Sequence, residues 1–600
     1  MKPFDPEDRH PGPFVQMIEP QAPAPRGNPV LRLIRNLMRT RIDKSTHRIR
    51  LVAFAFVGLY AVIGGKLIWL GMKPETQSLR RAASEAVSAA RPDVVDRNGE
   101  VLASDVKAMS IFAEPRRIID KDEAVELLTA VLPGLNARDL RERLGSRKGF
   151  VWIKRAVTPK ERDEVFRLGL PGIVFVPENK RVYPNGPLAS HVLGFTNVDN
   201  QGIAGIEKYI DNQGLGDLNR AGFQMKAADL KPVQLSLDLK VTHAVRDELA
   251  KGIERFKAKA GAAAIMDVNT GEVIALASLP DYDPNNPTDA LDPHRINRMS
   301  VGTYEMGSTF KALTLAMGLD AGKVNLRSSI DARSALRYGR YKIGDFHAQN
   351  RALTLPEVFT YSSNIGTARV ALMVGVDGHK AFLRKMGQLD RMRTEIPESA
   401  EPQVPKRWGE LNTMTIAFGH GLAVAPLQAM MAVAALSNGG YLINPTFLKR
   451  SEEDAKKDAP RVIRTETSEA LRYLMRLNAV SGSAKSVDIN GYFAGGKTGT
   501  AEKSVNGRYV KDRVLTTFTA IWPSDKPKYL YLTIMDEPQP TPETHGYRTA
   551  AWNAGAVTGK LIERTGPMLG APPRIELPQL PFPLLARLGI GMPPAGSGAH

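Results

Sequence analysis

Three short polar stretches, in one order along the chain, hold the residue types that acyl transfer needs: Ser308-Thr309-Phe310-Lys311, Ser362-Ser363-Asn364 and Lys497-Thr498-Gly499-Thr500. A serine hydroxyl is a poor nucleophile until a base within hydrogen-bond reach takes its proton. Lysine can be that base only as the neutral amine, a form favoured by burial and by neighbouring positive charge. Residues i and i+3 share a helix face, so Lys311 can reach the Ser308 hydroxyl if this stretch is helical. The apolar ALTLAMGLDAG that follows reads as that helix. Lys497 is the candidate for the charge that depresses Lys311, Ser362 for passing the proton towards a leaving amine, and Asn364 for holding Lys311 or a substrate amide. Thr498 and Thr500 offer hydroxyls to a substrate carboxylate beside Lys497. Gly499 is expected to leave room for substrate backbone along a strand. Backbone N–H groups of Ser308 and Thr500 are the expected oxyanion donors.

Any one of these motifs alone is weak. Ser104-Asp105-Val106-Lys107 also reads S-x-x-K, but it follows a hairpin strand and has no apolar helix behind it. A rival reading exists at Gly491–Thr498, which satisfies the phosphate-loop pattern G-x-x-x-x-G-K-[ST]. That loop needs an apolar strand before it and a helix after it. Here polar SAKSVDIN precedes it, and an Asn506-Gly507 turn with strand-like VLTTFTAIW follows, so nucleotide binding is not expected.

The positioning elements follow from pattern. AGAAAIMDVNTGEVIALASLP (260–280) reads as strand, turn and strand, and RVLTTFTAIWP and KYLYLTIMD as further strands; AAWNAGAVTGKLIERTG reads as a closing helix. Strands at both ends with helices between them imply an α/β (α+β) domain, an antiparallel sheet packed by helices. Upstream, β-branched runs around Asn98-Gly99 predict a hairpin. Residues 79–90 have helical composition, and Leu51–Gly65 is an uncharged apolar run behind eight Lys/Arg between Arg26 and Arg50. Extended to Met72, that run makes 22 residues, about 33 Å of helix against a hydrocarbon core of about 30 Å. The basic flank predicts a cytoplasmic N-terminus and the bulk of the chain outside. The expected division is a basic tail at 1–48, one transmembrane anchor at 49–72, an elongated pedestal at 73–235, a catalytic domain at 236–570 and a Pro-rich tail at 571–600.

The net charge of +18 is concentrated enough beside this span for anionic lipid to account for much of it, and no nucleic-acid partner is expected. With no cysteine and no HExxH, thiolate nucleophiles, disulfides, Cys-ligated zinc, iron–sulfur clusters and the helical zinc-hydrolase signature are excluded.

The motif trio resembles that of the penicillin-recognising serine acyl-transferases. More specifically, RPDVVDRNGEVLA, RVYPNGPLASHVLG, GIAGIEKY, YEMGSTFK, YSSNIG, AFGHGLAVAPLQ and GGKTGTAEK together resemble class B penicillin-binding proteins. KTGTAEK and TAAWNAGAVTGKLIER are most similar to the cell-division (septal) branch of an alphaproteobacterial kind, with the elongation branch as runner-up. Met306 and Gly555-Ala556 depart from residues common in relatives, and neither touches the chemistry. The resemblance implies a penicillin-binding/serine β-lactamase-like fold and a peptidoglycan D,D-transpeptidase in the inner membrane that needs no metal and no organic cofactor. Ser308 would attack a D-Ala-D-Ala donor stem, and an amine of a neighbouring stem would accept the acyl group. β-Lactams would acylate Ser308, and division-machinery membrane proteins including a glycosyltransferase would be partners. A D,D-carboxypeptidase or β-lactamase would use water instead; no E-x-x-L-N occurs, and the anchor and pedestal favour an amine acceptor.

Overall fold

A computed structural model describes residues 44–72, 90–215, 230–505 and 508–574. The expected basic tail up to residue 43, most of the helical stretch at 79–90, the Asn506-Gly507 turn and the Pro-rich tail from 575 lie outside the described residues. The apolar run forms helix α1 (Lys44–Met72). Its side chains are described over 52–68, and Phe54, Val57, Tyr60, Val62 and Leu67 among them are exposed. Among the described side chains, which in α1 run only over 52–68, no helix is long and apolar enough to cross a membrane.

The described residues from 90 onward build two five-stranded sheets and three two-stranded ones. In the first, β1 (Val94–Val95) turns through Gly99 (φ 92°) into the long β2 (Val101–Ala113). The Asp96 carboxylate fixes the turn by accepting from the amides of Asn98 (2.7 Å) and Glu100 (2.9 Å). β3 (Val151–Val157) and β4 (Ile173–Val182) pair antiparallel with β2, and β5 (Val233–Gln234) pairs parallel with β1. Helices α2 (Lys121–Val131), α3 (Ala137–Gly145) and α4 (Pro159–Arg167) start at side-chain caps from Asp120, Asn136 and Thr158. Such caps satisfy amide groups that the first helical turn leaves unpaired. These helices bury Val125, Leu128, Leu140 and Val165 with Ile111 and Ile153 of the sheet. Ser104 and Lys107 lie on β2, so this second S-x-x-K has no helix.

A buried ionic cluster ties this region together. Glu207 accepts from Arg91 Nε and Arg181 Nε, each at 2.7 Å, with all three side chains 1% exposed. Asp105 and Asp211 complete the pairing at 3.2 and 2.6 Å.

The second sheet has the order β8 (Gly495–Val505), β9 (Arg508–Trp522), β10 (Tyr529–Asp536), β6 (Ala260–Asp267), β7 (Val273–Leu279), antiparallel throughout. Strands from both ends of the domain are therefore neighbours. Side chains alternate across a strand, and β6, half of it alanine, is buried on both faces. Ala262, Ala264 and Met266 face one core, and Ala263 and Ile265 face the other. On the second face lie α5 (Leu239–Arg255) and the closing helix Ala554–Met568. On the first lie α6 (Lys311–Asp320), α7 (Leu355–Thr360), α8 (Asn364–Val374), α9 (Glu410–Ala417), α10 (Pro426–Ser437) and α11 (Thr465–Ser481), with Leu313, Val433 and Leu474 in the shared core. All twelve residues of α10 are buried and every residue of α6 but Asp320 is buried. Helices this apolar on all sides belong in an interior. The 491–498 stretch runs into β8, with no helix after it, which removes the phosphate-loop reading.

Removing one partner from a buried charge cluster leaves the others uncompensated. Glu207→Ala is therefore expected to destabilise the chain by about 3–5 kcal/mol. Denaturant unfolding of the full-length protein checks this, and an unchanged midpoint would contradict it.

Candidate active site

The serine stretch begins as a 3-10 turn, Gly307–Phe310, and becomes α6 at Lys311. Positions i and i+3 nearly eclipse in a 3-10 turn, so Ser308 and Lys311 face the same way. Gly307 (φ 54°) donates its N–H to Gly419 O at 3.2 Å. A Cβ on Gly307 would stand 2.8 Å from Thr500 O, and one on Gly419 would stand 1.9 Å from Gly307 O. The nucleophile turn is thus clamped between edge strand β8 and the Phe418–Gly421 segment, with glycine at each close approach. Gly499 belongs to this clamp. A Cβ there would meet Met306 O at 2.5 Å and Thr517 Oγ1 at 2.2 Å. The glycine is needed for the protein's own packing, a different reason from the room for substrate expected in the sequence.

The second motif stands at the α7–α8 junction. Ser362 holds a left-handed conformation (φ 54°), uncommon for a residue with a side chain. Ser363 caps α8, accepting from Gly366 N at 2.9 Å, and donates to Asp345 Oδ2 at 2.7 Å. The other Asp345 oxygen accepts from Ile365 N. Asn364 turns its amide to Gly344 O at 3.0 Å. Among the described residues no hydrogen bond joins it to Lys311, so it holds the loop before α7 rather than the lysine.

Ser362 Oγ is the meeting point. Lys311 Nζ and Lys497 Nζ each lie 3.0 Å from it, and Lys311 also donates to the Ser362 carbonyl. Lys497 reaches Thr498 O at 3.2 Å and lies 5.7 Å above the Phe359 ring. Thr498 Oγ1 is bonded to Ser483 Oγ at 2.8 Å. Thr500 Oγ1 accepts from Ala550 N at 3.2 Å. Ser308 is half-buried, and among the described residues no hydrogen bond holds its hydroxyl. Catalytic contacts of this kind often tighten only once substrate is bound.

Both lysines are fully enclosed, at 1% and 0% exposure, and among the described residues neither is ion-paired with a carboxylate. Burial, then the charge of Lys497, push Lys311 well below an ordinary lysine, against an opposing pull from Asp345. Burial brings Lys497 down to about 7.

Beyond the serine turn, Glu305 Oε1 accepts from Gly421 N at 2.8 Å and from Tyr509 OH at 2.9 Å. His420 packs edge-on against Tyr509, and burial lowers its pKa. Asp345, Ser483, Glu305, His420 and Tyr509 were not singled out from the sequence. Asp345, Ser483 and His420 are isolated polar residues in loops, and Glu305 and Tyr509 lie at strand ends, so no periodicity marks them.

Residues 261–557 match the family described as the penicillin-binding protein transpeptidase domain, and residues 86–217 match the penicillin-binding protein dimerisation domain. Among curated relatives, the probable peptidoglycan D,D-transpeptidase FtsI of Caulobacter vibrioides is 37% identical, covering 82% of this chain and 84% of that protein. The probable peptidoglycan D,D-transpeptidase PenA of Neisseria gonorrhoeae is 32% identical over 84% of this chain and 90% of its own. FtsI of Escherichia coli is 29% identical over 84% and 89%. The chain belongs to the class B penicillin-binding proteins. A solved structure of penicillin-binding protein 3 from Mycobacterium tuberculosis, complexed with aztreonam, shares the fold at TM-score 0.62 and 21% identity, over 81% of this chain and 98% of that one.

In this penicillin-binding protein the pH profile of acylation reads the lysine pair. In the base role expected from the sequence Lys311 would have to be neutral, and its lowered pKa would place the rising limb far below ordinary lysine titration. In the carboxylate-binding role expected of it Lys497 would have to be charged, and that charge is lost as pH rises through about 7. The second-order rate constant for penicillin acylation is expected to form a bell whose limbs belong to the coupled pair. A rate that climbs steadily into the ordinary lysine range would contradict this.

Proposed function

We propose that this chain, a peptidoglycan D,D-transpeptidase of the septal type, cross-links stem peptides through a Ser308 acyl-enzyme activated by neutral Lys311. The carrying observation is the placement of both lysine amines 3.0 Å from Ser362 Oγ, beside the turn that bears Ser308. Lys311 Nζ takes the Ser308 proton as Oγ bonds to the carbonyl carbon between the two terminal D-alanines. The resulting oxyanion is met by the N–H groups of Ser308 and Thr500, aimed where charge develops. This pairing is supported by the close packing of Gly307, the residue before Ser308, against the Thr500 backbone. Collapse breaks the C–N bond, and the proton leaves Lys311 through Ser362 Oγ to the departing D-alanine amine. An amine of a second stem then attacks the ester carbonyl and gives up a proton to Lys311, and Ser308 regains its own as the ester bond breaks.

Lys497, Thr498 and Thr500 would hold the donor's terminal carboxylate from β8. Asn364 acts as a positioning residue through Gly344. A β-lactam presents its ring carbonyl to the same serine, and the ring-opened acyl-enzyme blocks the amine. In this reading α1 and its basic flank form a single inner-membrane anchor with the N-terminus cytoplasmic, supported by the exposed apolar side chains along the helix. Residues 73–235 form the pedestal and a surface for division partners, among them a glycosyltransferase, and residues 236–570 form the transpeptidase domain in the periplasm.

Fluorescent penicillin is expected to label the full-length protein at one site and to leave Ser308→Ala unlabelled. Stoichiometric labelling of the folded variant would refute the assignment.

A further inference from the structure

Between the first two catalytic motifs the chain makes a short antiparallel hairpin, Leu336–Tyr338 with Tyr341–Ile343. Its register sets Arg337 directly across from Lys342, with Arg340 in the turn beside Gly339 (φ 54°). Like charges facing each other across a ladder repel. Nearby cations are paired: Arg333 with Asp331 at 3.0 Å and Arg351 with Glu357 at 2.7 Å. Among the described residues, no carboxylate pairs with Arg337, Arg340 or Lys342. The excess is local to the hairpin.

Tyr338 and Tyr341 also face each other, 42% and 48% exposed, and the Arg340 guanidinium lies 5.3 Å from the Tyr341 ring centre. Side chains alternate across a strand, so Arg337 and Lys342 point to one face of the hairpin and the tyrosines to the other, the side of Leu336 and Ile343. Exposed cations without a carboxylate partner suit a ligand that carries carboxylates.

The hairpin is also held firmly against the catalytic region. Ile343 packs with Ala368 of α8, Met414 of α9 and Phe418, and Leu336 packs against the same cluster. The next two residues, Gly344 and Asp345, take the hydrogen bonds from Asn364 and Ser363 described above. A ligand on the hairpin is therefore held relative to Ser362 by packed side chains on one side and hydrogen bonds on the other.

We propose that this hairpin is a binding site for the stem-peptide carboxylates of an uncross-linked peptidoglycan strand, held by Arg337 and Lys342 with Arg340 at the tip. The inference rests on the transpeptidase reading and adds a second substrate contact outside the serine centre. Charge complementarity selects this occupant: the polymer carries free carboxylates along its stems, and the hairpin offers three cations with no carboxylate partner.

The test uses full-length protein and soluble uncross-linked glycan strands bearing pentapeptide stems. Arg337→Gln/Arg340→Gln/Lys342→Gln is expected to bind these strands about tenfold more weakly, with a shallower salt dependence. These residues are exposed, so penicillin acylation of the same variant should stay within about twofold of wild type. Strands whose stem carboxyls have been amidated should bind wild type as weakly as native strands bind the variant. Unchanged strand binding by the variant, or equal binding of amidated and native strands, would overturn the proposal. It would also be overturned if the variant lost binding only to phosphatidylglycerol vesicles, which would assign the hairpin to lipid. Absence of penicillin acylation in wild type would instead overturn the transpeptidase reading.

Discussion

Two amines enclosed in one site, sharing one hydroxyl and paired with no carboxylate among the described residues, form the constraint to which the catalytic region answers. Two unit charges about 5 Å apart repel by about 3 kcal/mol at an effective dielectric near 20. That is enough to move a pKa by about two units before burial is counted. Both effects favour losing one proton. Burial and the neighbouring charge act together on Lys311, while burial is the cause at Lys497. Ser362 Oγ can donate to a neutral Lys311 while accepting from a charged Lys497, since a hydroxyl has one proton and two lone pairs. On the proposed reading, the pair divides into a base and a cation because of where it sits.

The fold maintains that division by excluding water and fixing three backbones at close range. α6 is buried along nearly its whole length, so Lys311 cannot swing out to solvent. Lys497 sits on a strand whose hydrogen-bonded partner, β9, is buried from Leu515 to Trp522. Ser362 takes a left-handed backbone conformation, at a cost of order 1 kcal/mol. The helix capped by Ser363 and the carboxylate of Asp345 hold it there. Gly307, Gly419 and Gly499 let the serine turn approach both walls more closely than any side chain would allow.

How much of this could be read beforehand follows from what each signal encodes. The three motifs were legible because each is local: a helical i, i+3 pair, a turn ahead of a helix, and a strand with small residues. The antiparallel sheet was legible in the alanine-rich and β-branched runs, and the decoy at Ser104 in its missing helix. Asp345, Ser483 and His420 were not legible, because their roles arise from contacts between segments distant in sequence. Asn364 was legible as part of a motif but not in its role, since the Gly344 carbonyl that captures its amide lies on a loop with no pattern of its own. For Gly499 the sequence signalled close approach, and only the packing revealed that the approaching atoms belong to Met306 and Thr517.

Counting hydrogens on the two amines tests the central claim most directly. Neutron diffraction from perdeuterated crystals held at mildly acidic pH, below the value of about 7 at which Lys497 loses its charge, should show two deuterons on Lys311 Nζ, three on Lys497 Nζ, and the Ser362 hydroxyl deuteron pointing to Lys311. Three deuterons on Lys311 with a neutral Lys497 would contradict the account.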